Sequence, residues 1–170
     1  VVTFSIADRN KSLPQMDFKL DINLMDEGYE PINYSSFGFT FNQTSDTTGE
    51  LVSYTGTETN VTVPSSYSVV DGKFIEGDTY TITAIADGSS SSNGAFYQVR
   101  ETLGSVTLPN TIVYIGRWAF NSCSSLTSVS IPSSVTYIGN SAFNNCNSLQ
   151  PSITDQGVKY LGNSENPYVV

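Results

Sequence analysis

Apolar residues in the second half of the chain recur with a period of 23 positions. Leu103–Pro109 reads L-x-x-V-x-L-P, and Leu126–Pro132 reads L-x-x-V-x-I-P, 23 residues later. The same offset relates Ile112 to Val135, Ile115 to Ile138, Gly116 to Gly139, Ala119–Phe120 to Ala142–Phe143, and Cys123 to Cys146. Leu149 begins a third copy on the same spacing. Self-similarity of this kind predicts a repeat architecture.

Each copy predicts two short extended segments. The pattern L-x-x-V-x-L/I places its apolar side chains on the inner side of a strand. The proline that follows has no N–H for a ladder, so it marks the end of the strand. The two isoleucine positions then point inward from a second extended segment, and the glycine after them permits a bend. Ala-Phe-x-x-Cys fills the remaining side with one large and two small groups.

No single 23-residue copy can bury this apolar surface by itself. Stacked copies form one continuous core with parallel strand ladders, which takes about three copies and caps at the ends. The sequence therefore predicts a β-rich solenoid.

The motif I-P-S-S-V-T-x-I-G-x-x-A-F-x-x-C-x-S-L, from Ile131 to Leu149, resembles the BspA-type leucine-rich repeat. The resemblance implies a β-rich leucine-rich-repeat solenoid with short α/β-type rungs. It also implies a surface-anchored or secreted bacterial protein with a role in adhesion, because such repeats occur in proteins of gut and oral bacteria and of some mucosal protists.

A weaker copy precedes the regular ones. Gly56–Ser66 has the strand-then-proline signature, Tyr80–Ile85 matches the second extended segment, and Gly94–Phe96 takes the Ala-Phe position. This copy carries extra residues in 67–78 and in the Ser-rich stretch 87–93. We therefore expect the solenoid to span 49–154, with an irregular first repeat in 49–102 and regular repeats in 103–148.

The flanking segments lack the repeat. Residues 1–48 hold three β-forming stretches, Val1–Ala7, Phe18–Met25 and Phe37–Gln43, which predict a small N-terminal β cap on the open end of the solenoid, with a small separate domain as the alternative. Residues 155–170 predict a hairpin-like tail or cap. Because the chain begins with Val1, we expect a processed or excised piece of a longer protein.

Charge narrows the class of partner. The net charge is −9, and 12 of the 16 acidic residues lie at or before Asp78. Between Thr102 and Thr154 the only charged side chain is Arg117. A chain with no basic stripe does not suit nucleic acid or an anionic membrane, which require counter-charge. No apolar run approaches the roughly 20 residues of a membrane span. These exclusions leave a protein ligand as our expectation, and the resemblance to BspA-type repeats implies that the module is extracellular.

Little in the sequence supports catalysis or a cofactor. The chain has no histidine, which excludes Ser-His and Cys-His nucleophile pairs. The acidic groups Asp17 with Asp21, and Asp26–Glu30, are ordinary solvated charges in this interpretation, and their spacing matches no calcium loop. A zinc site would require more ligands than two cysteines. We predict no enzyme activity, no metal and no cofactor.

Cys123 and Cys146 stand one repeat apart. Adjacent rungs lie about 4.8 Å apart, within reach of a disulfide. Residues in register point in parallel, however, whereas a disulfide requires a torsion near a right angle. A buried ladder of two free thiols is the favoured interpretation, and a disulfide is the alternative.

Four outward residues are the candidate protein contacts: Tyr114, Arg117, Trp118 and Tyr137. The two tyrosines share a repeat position, so they should be neighbours on one outer face. Aromatic and Arg side chains on a Ser/Thr/Asn-rich surface are typical anchors of protein interfaces. The alternatives are tyrosines that only cover a β surface in a structural spacer, and an accessory carbohydrate-binding unit.

Overall fold

The structure, a computed structural model, describes residues 31–151, 153–155, 158–162 and 167–169 of the 170-residue chain. The strands, in chain order, are β1 Phe39–Gln43, β2 Thr48–Tyr54, β3 Asn60–Thr62, β4 Ser66–Val70, β5 Lys73–Ile85, β6 Ser105–Thr107, β7 Tyr114–Ile115, β8 Ser128–Ser130, β9 Tyr137–Ile138, β10 Ile153–Asp155, β11 Val158–Gly162 and β12 Pro167–Val169. A 3₁₀ turn, Tyr97–Val99, is the one helical element of the described residues. The α/β-type rung expected from the sequence is therefore built from strands and turns.

The first predicted strand of each copy lies in a parallel three-stranded sheet of order β3-β6-β8. Val61, Val106 and Val129 are partners across it and are all buried, whereas the flanking polar residues are mostly exposed. Backbone bonds repeat with the copies: Gly104 N–H donates to the Thr59 carbonyl at 2.7 Å, and Thr127 N–H donates to the Gly104 carbonyl at 2.8 Å. The predicted register, including that of the degenerate first copy, is confirmed.

The second extended segment of each copy lies in a second sheet of order β1-β2-β5-β7-β9, with β4 paired to β5. Strands β2, β5, β7 and β9 run parallel. Leu51, Ile85, Ile115 and Ile138 are successive partners along them, and the first three are fully buried. The apolar core therefore lies between the β3-β6-β8 sheet and the parallel strands β2, β5, β7 and β9 of the second sheet, and it continues from rung to rung.

A ladder of aromatic rings closes the third side of the core. Phe96, Phe120 and Phe143 stack with ring centroids 4.6 and 5.0 Å apart and planes within 9°. Their backbones are tied as well, because Phe96 N–H donates to the Ala119 carbonyl at 3.0 Å and Phe120 N–H to the Ala142 carbonyl at 2.8 Å. This confirms that Phe96 takes the Ala-Phe position of the first copy.

The stack extends one half-rung further toward the N-terminus than the repeat pattern indicates. Strand β2 adds Leu51 to the apolar ladder, and the Tyr54 ring lies 6.0 Å from that of Phe96. Strand β1 then pairs antiparallel with β2. The β1–β2 hairpin spans the expected boundary at residue 48, because β1 lies before it and most of β2 lies after it. The division of the chain into a cap and a solenoid stays a prediction. The expected strands Val1–Ala7 and Phe18–Met25 lie outside the described residues.

The extra residues 67–78 of the first copy form a β-hairpin. Strands β4 and β5 are joined at Asp71 and Gly72, whose positive φ values of 51° and 73° suit a two-residue hairpin turn. The hairpin packs on β1 through aromatic rings: Tyr67 stacks on Phe41 at 4.6 Å and meets Phe74 edge-on at 5.6 Å. The insertion therefore builds a second aromatic cluster beside the N-terminal end of the stack.

The regular stack ends at Pro151. Gln150 N–H still donates to the Thr127 carbonyl at 3.0 Å, which continues the ladder of the two earlier copies. Pro151 takes the repeat position of Ser105, whose N–H donates to the preceding rung at 3.0 Å. Because proline lacks that N–H, the parallel ladder cannot continue. The chain forms an antiparallel sheet, β10-β11-β12, and Leu161 of β11 is buried with the core.

Phe120 should contribute more to stability than Phe143, because a ring covers it on both sides. We expect Phe120→Ala to lower the free energy of unfolding by about 3–5 kcal/mol. Phe143→Ala should cost less, since Phe143 is only partly buried. Chemical denaturation measures both, with the exposed Val69→Thr as the control, expected within about 0.5 kcal/mol of wild type. Equal losses for the two phenylalanine variants would contradict the stacking argument.

Candidate functional site

Two stacked tyrosine rings belong to the candidate contact surface, which consists of Tyr114, Arg117, Trp118 and Tyr137. Tyr114 and Tyr137 are partners in the β7–β9 pair, and their rings lie 4.9 Å apart with planes within 6°. Tyr137 is 50% exposed, and Tyr114 is half-buried. The predicted proximity of the two side chains is correct, and it follows from the in-register parallel pairing of their strands.

Asp87 fixes the inner member of this pair. Its Oδ1 atom accepts a hydrogen bond of 2.8 Å from the Tyr114 hydroxyl and one of 2.7 Å from the backbone N–H of Arg117. Sequence reasoning missed Asp87. The available signal was register: with Ile85 aligned to Ile115, Asp87 lies one rung before Arg117. The carboxylate joins two candidate residues through one atom.

The same arrangement changes the acidity of Tyr114. Burial raises the pKa of its phenol to about 12, helped by the hydrogen bond to Asp87 and by the negative charge of that carboxylate. The positive charge of Arg117 acts in the opposite direction and is the smaller effect. Tyr114 therefore stays a neutral hydrogen-bond donor over the physiological range.

Arg117 and Trp118 stand beside the tyrosine pair. The guanidinium of Arg117 lies 4.5 Å from the centre of the Trp118 ring, a cation–π contact. Gly88 N–H donates to the Arg117 carbonyl at 2.8 Å, so Asp87 and Gly88 hold both backbone polar groups of Arg117. Arg117 is exposed and Trp118 is half-buried.

Trp118 has a left-handed backbone, with φ at 58°. Ser141, at the same position of the next copy, has φ at 60°. The two regular copies share this conformation, whereas Gly94, at the same position of the first copy, does not have a positive φ. A small polar side chain adopts it with less strain than a bulky one. The rung explains the backbone at Trp118 but not the choice of tryptophan.

Side-chain hydrogen bonds of Asn121 and Asn144 join the Ser-rich loop to the rungs. The Asn121 side chain is 3% exposed, and its Nδ2 donates to the Ser91 carbonyl at 2.6 Å. The Asn144 Nδ2 donates in turn to Asn121 Oδ1 at 2.9 Å. Sequence reasoning did not single out these residues, although Asn121 and Asn144 are one repeat apart. Their bonds hold residues 88–93 against the stack.

The cysteines form the thiol ladder favoured by the sequence. Cys123 and Cys146 are free, and each thiol donates to a backbone carbonyl, those of Phe96 at 3.9 Å and Phe120 at 3.0 Å. Burial raises the pKa of Cys123 to about 12 and that of Cys146 to about 11. Thiols of such high pKa are poor nucleophiles at neutral pH.

The described residues offer few side chains for metal binding or for acid–base chemistry. Across the described ranges, no three His, Cys, Asp or Glu side chains lie close enough to hold a metal ion. An open cleft between residues 35–38 and 55–58 has Glu58 as the one ionisable side chain among its lining residues. The acidic groups Asp17 with Asp21, and Asp26–Glu30, lie outside the described residues. Within the described part, no helix is long and apolar enough to span a bilayer.

Known proteins resemble the repeat region. Residues 89–165 match the family model of the BspA type leucine rich repeat region (6 copies). No curated protein matches the chain. A leucine rich cell surface protein from Faecalibacterium prausnitzii A2-165 is similar in structure, with 28% identity, a TM-score of 0.51 and coverage of 72% of this chain and 30% of its own.

Two Bacteroides proteins have similar structures. A leucine-rich repeat protein from Bacteroides ovatus ATCC 8483 shows 25% identity and a TM-score of 0.53, over 74% of this chain and 30% of its own. One from Bacteroides capillosus ATCC 29799 shows the same fold, at 24% identity and a TM-score of 0.55, over 75% of this chain and 86% of its own. The chain thus spans about 30% of the length of the F. prausnitzii and B. ovatus proteins.

The thiols should be unreactive in the folded protein. Their raised pKa values lower the thiolate fraction roughly a hundredfold or more relative to an ordinary cysteine. We expect iodoacetamide at mildly alkaline pH to label neither Cys123 nor Cys146 of the native chain at the rate of free cysteine, and to label both in urea. Mass spectrometry measures the rates. Fast native labelling of Cys146 would contradict the burial argument.

Tyr114 should make stability depend on alkaline pH. Its folded pKa of about 12 lies above the ordinary value of 10.0, so its contribution is fully present below pH 10 and is lost as pH rises through about 12. The difference in phenolate absorbance between wild type and Tyr114→Phe should show this titration. Asp87→Asn should move the pKa of Tyr114 back toward 10, and no change in that variant would refute the role of Asp87.

Proposed function

We propose, on the premise that residues 89–165 are a BspA-type leucine-rich repeat region, that this chain is a protein-binding module of a bacterial cell-surface or secreted protein. It acts by adhesion and not by catalysis. Its binding surface consists of four side chains: Tyr114, Arg117, Trp118 and Tyr137.

The observation that carries the proposal is Trp118. The two regular copies have a left-handed backbone at this position, and Ser141 adopts it with a small side chain in the second of them. A tryptophan there adds strain without adding to the fully buried core. Tryptophan and arginine are the side chains most enriched among the dominant contacts of protein interfaces. A functional contact accounts for the pair Arg117–Trp118 where packing does not.

Similarity to known proteins supports the same class of function. The leucine-rich repeat region is consistent with a protein-interaction module, and the similar F. prausnitzii protein is a cell surface protein. Stacked rungs also hold Tyr114 and Tyr137, which occupy equivalent positions, side by side on one outer face. The proposed location is therefore the bacterial surface or the extracellular space.

The alternatives make different use of the same residues. A structural spacer would leave the exposed Tyr137 without a ligand. An accessory carbohydrate-binding unit would use the flat faces of aromatic rings. The stacking of Tyr114 on Tyr137 covers one face of each ring and leaves Tyr137 half exposed, with Arg117 in the neighbouring part of the surface. The experiment below distinguishes a protein ligand from a sugar.

Binding of the fluorescently labelled chain to epithelial cells tests the proposal. We expect saturable binding that weakens about tenfold or more when Trp118 and Tyr137 are both replaced by Ala. Trypsin treatment of the cells should abolish it. A change from low to physiological salt should weaken it little, because Arg117 is the only charge between Thr102 and Thr154.

The matched control replaces Val69 and Val70 by Ser, since these exposed side chains lie on the β4–β5 hairpin. This variant should bind like wild type. Absence of binding by the wild-type chain would support the spacer and overturn the proposal. Binding that survives trypsin but not periodate oxidation of the cells would point to carbohydrate.

A further inference from the structure

Arg117 differs from the other arginine that stacks on an aromatic ring. Arg100 lies 4.2 Å from the Tyr97 ring centre, donates to the Tyr97 carbonyl at 3.0 Å and pairs with Glu101 at 3.1 Å. Arg117 has the same kind of ring contact but forms no ion pair within the described parts of the chain. The charge of Arg100 is paired with that of Glu101, whereas the charge of Arg117 is exposed to solvent.

Asp87 interacts with Arg117 through the backbone. Asp87 Oδ1 accepts from the Arg117 N–H and from the Tyr114 hydroxyl, which are both neutral donors. The backbone is thereby fixed, and the guanidinium of the exposed side chain lies 4.5 Å from the centre of the Trp118 ring. A guanidinium in a cation–π contact keeps N–H donors for a carboxylate. The cation is pre-organised and available.

We infer that the protein partner brings one Asp or Glu carboxylate to Arg117, beside an apolar side chain that contacts Tyr137. This inference rests on the proposed function and adds the chemistry of the ligand. Arg117 is the only charge between Thr102 and Thr154, and the exposed Asp87 carboxylate beside it already accepts hydrogen bonds from the Tyr114 hydroxyl and the Arg117 N–H. The surface therefore offers a partner one cation whose side chain has no ion pair among the described residues. Phosphate groups are usually bound by clusters of arginine, which this surface lacks, so a carboxylate fits better.

The net charge of the chain limits how acidic the partner segment can be. At −9 the module repels a strongly acidic ligand at long range, and only the local contact with Arg117 is attractive. A segment with a single carboxylate next to a hydrophobic side chain satisfies both conditions. The module therefore selects for the position of the acid and not for the number of acids.

Selection from a random peptide display library tests the inference, because it requires no identified ligand. The targets are wild type, Arg117→Gln and the control Arg100→Gln, whose charge is already paired. Wild type and the control should enrich peptides that place Asp or Glu beside an aromatic or aliphatic residue. Arg117→Gln should lose the preference for the acid, with an unchanged near-ultraviolet circular dichroism spectrum reporting an intact fold.

A synthetic copy of one enriched peptide then gives the coupling. Arg117→Gln, or amidation of the peptide's acid, should each weaken binding about tenfold, and the second change should add little once the first is made. Additive losses, equal enrichment of acids by Arg117→Gln, or failure to select any peptide would overturn the inference. Arg117-dependent binding of sialylated glycans without peptide selection would overturn it in favour of a glycan ligand.

The two proposals fail in distinguishable ways. If Tyr137→Ala and Trp118→Ala abolish cell binding while Arg117→Gln leaves it and the peptide preference unchanged, the module binds protein but not through a carboxylate. If the wild-type chain binds no cells, the proposed function itself is refuted.

Discussion

The stability of the fold depends on neighbouring rungs burying each other's apolar side chains. A single copy has too little interior of its own, because its inward Leu, Ile and Phe side chains are covered in large part by the same positions one rung away. Phe120 is fully buried because rings lie on both sides of it, whereas Phe143 at the C-terminal end is only partly buried. Backbone bonds follow the same spacing, so each rung is stabilised through its neighbours, and the two ends need special treatment.

The two ends of the stack of rungs are terminated in different ways. At the N-terminal side, β2 adds a half-rung and the antiparallel β1 covers its edge. At the C-terminal side, Pro151 removes the N–H that would continue the ladder, and the chain turns into the β10-β11-β12 sheet. Both devices limit the exposure of unpaired strand edges, which otherwise invite association with other chains.

The candidate binding surface arises where the repeat is irregular. Tyr114 and Tyr137 come from the regular copies, but Asp87 and Gly88, which fix Tyr114 and Arg117, belong to the Ser-rich insertion of the first copy. In the next rung Asn140 and Ser141 occupy the positions of Arg117 and Trp118. The surface therefore has one distinctive location and is not repeated along the stack. Regular rungs supply rigidity, and the departure from regularity supplies specificity.

The sequence alone determined the features that depend on identical spacing. A 23-residue period places Val106 beside Val129, Phe120 beside Phe143 and Tyr114 beside Tyr137, because parallel rungs bring equivalent positions together. Tertiary structure decided what has no such period. Tyr54 joins the aromatic ladder from a half-rung 42 residues before Phe96, and Asp87 reaches Arg117 across an insertion. Such contacts are set by how loops pack in three dimensions. Register places Asp87 one rung before Arg117, but it does not show that the carboxylate accepts from the Arg117 N–H and the Tyr114 hydroxyl.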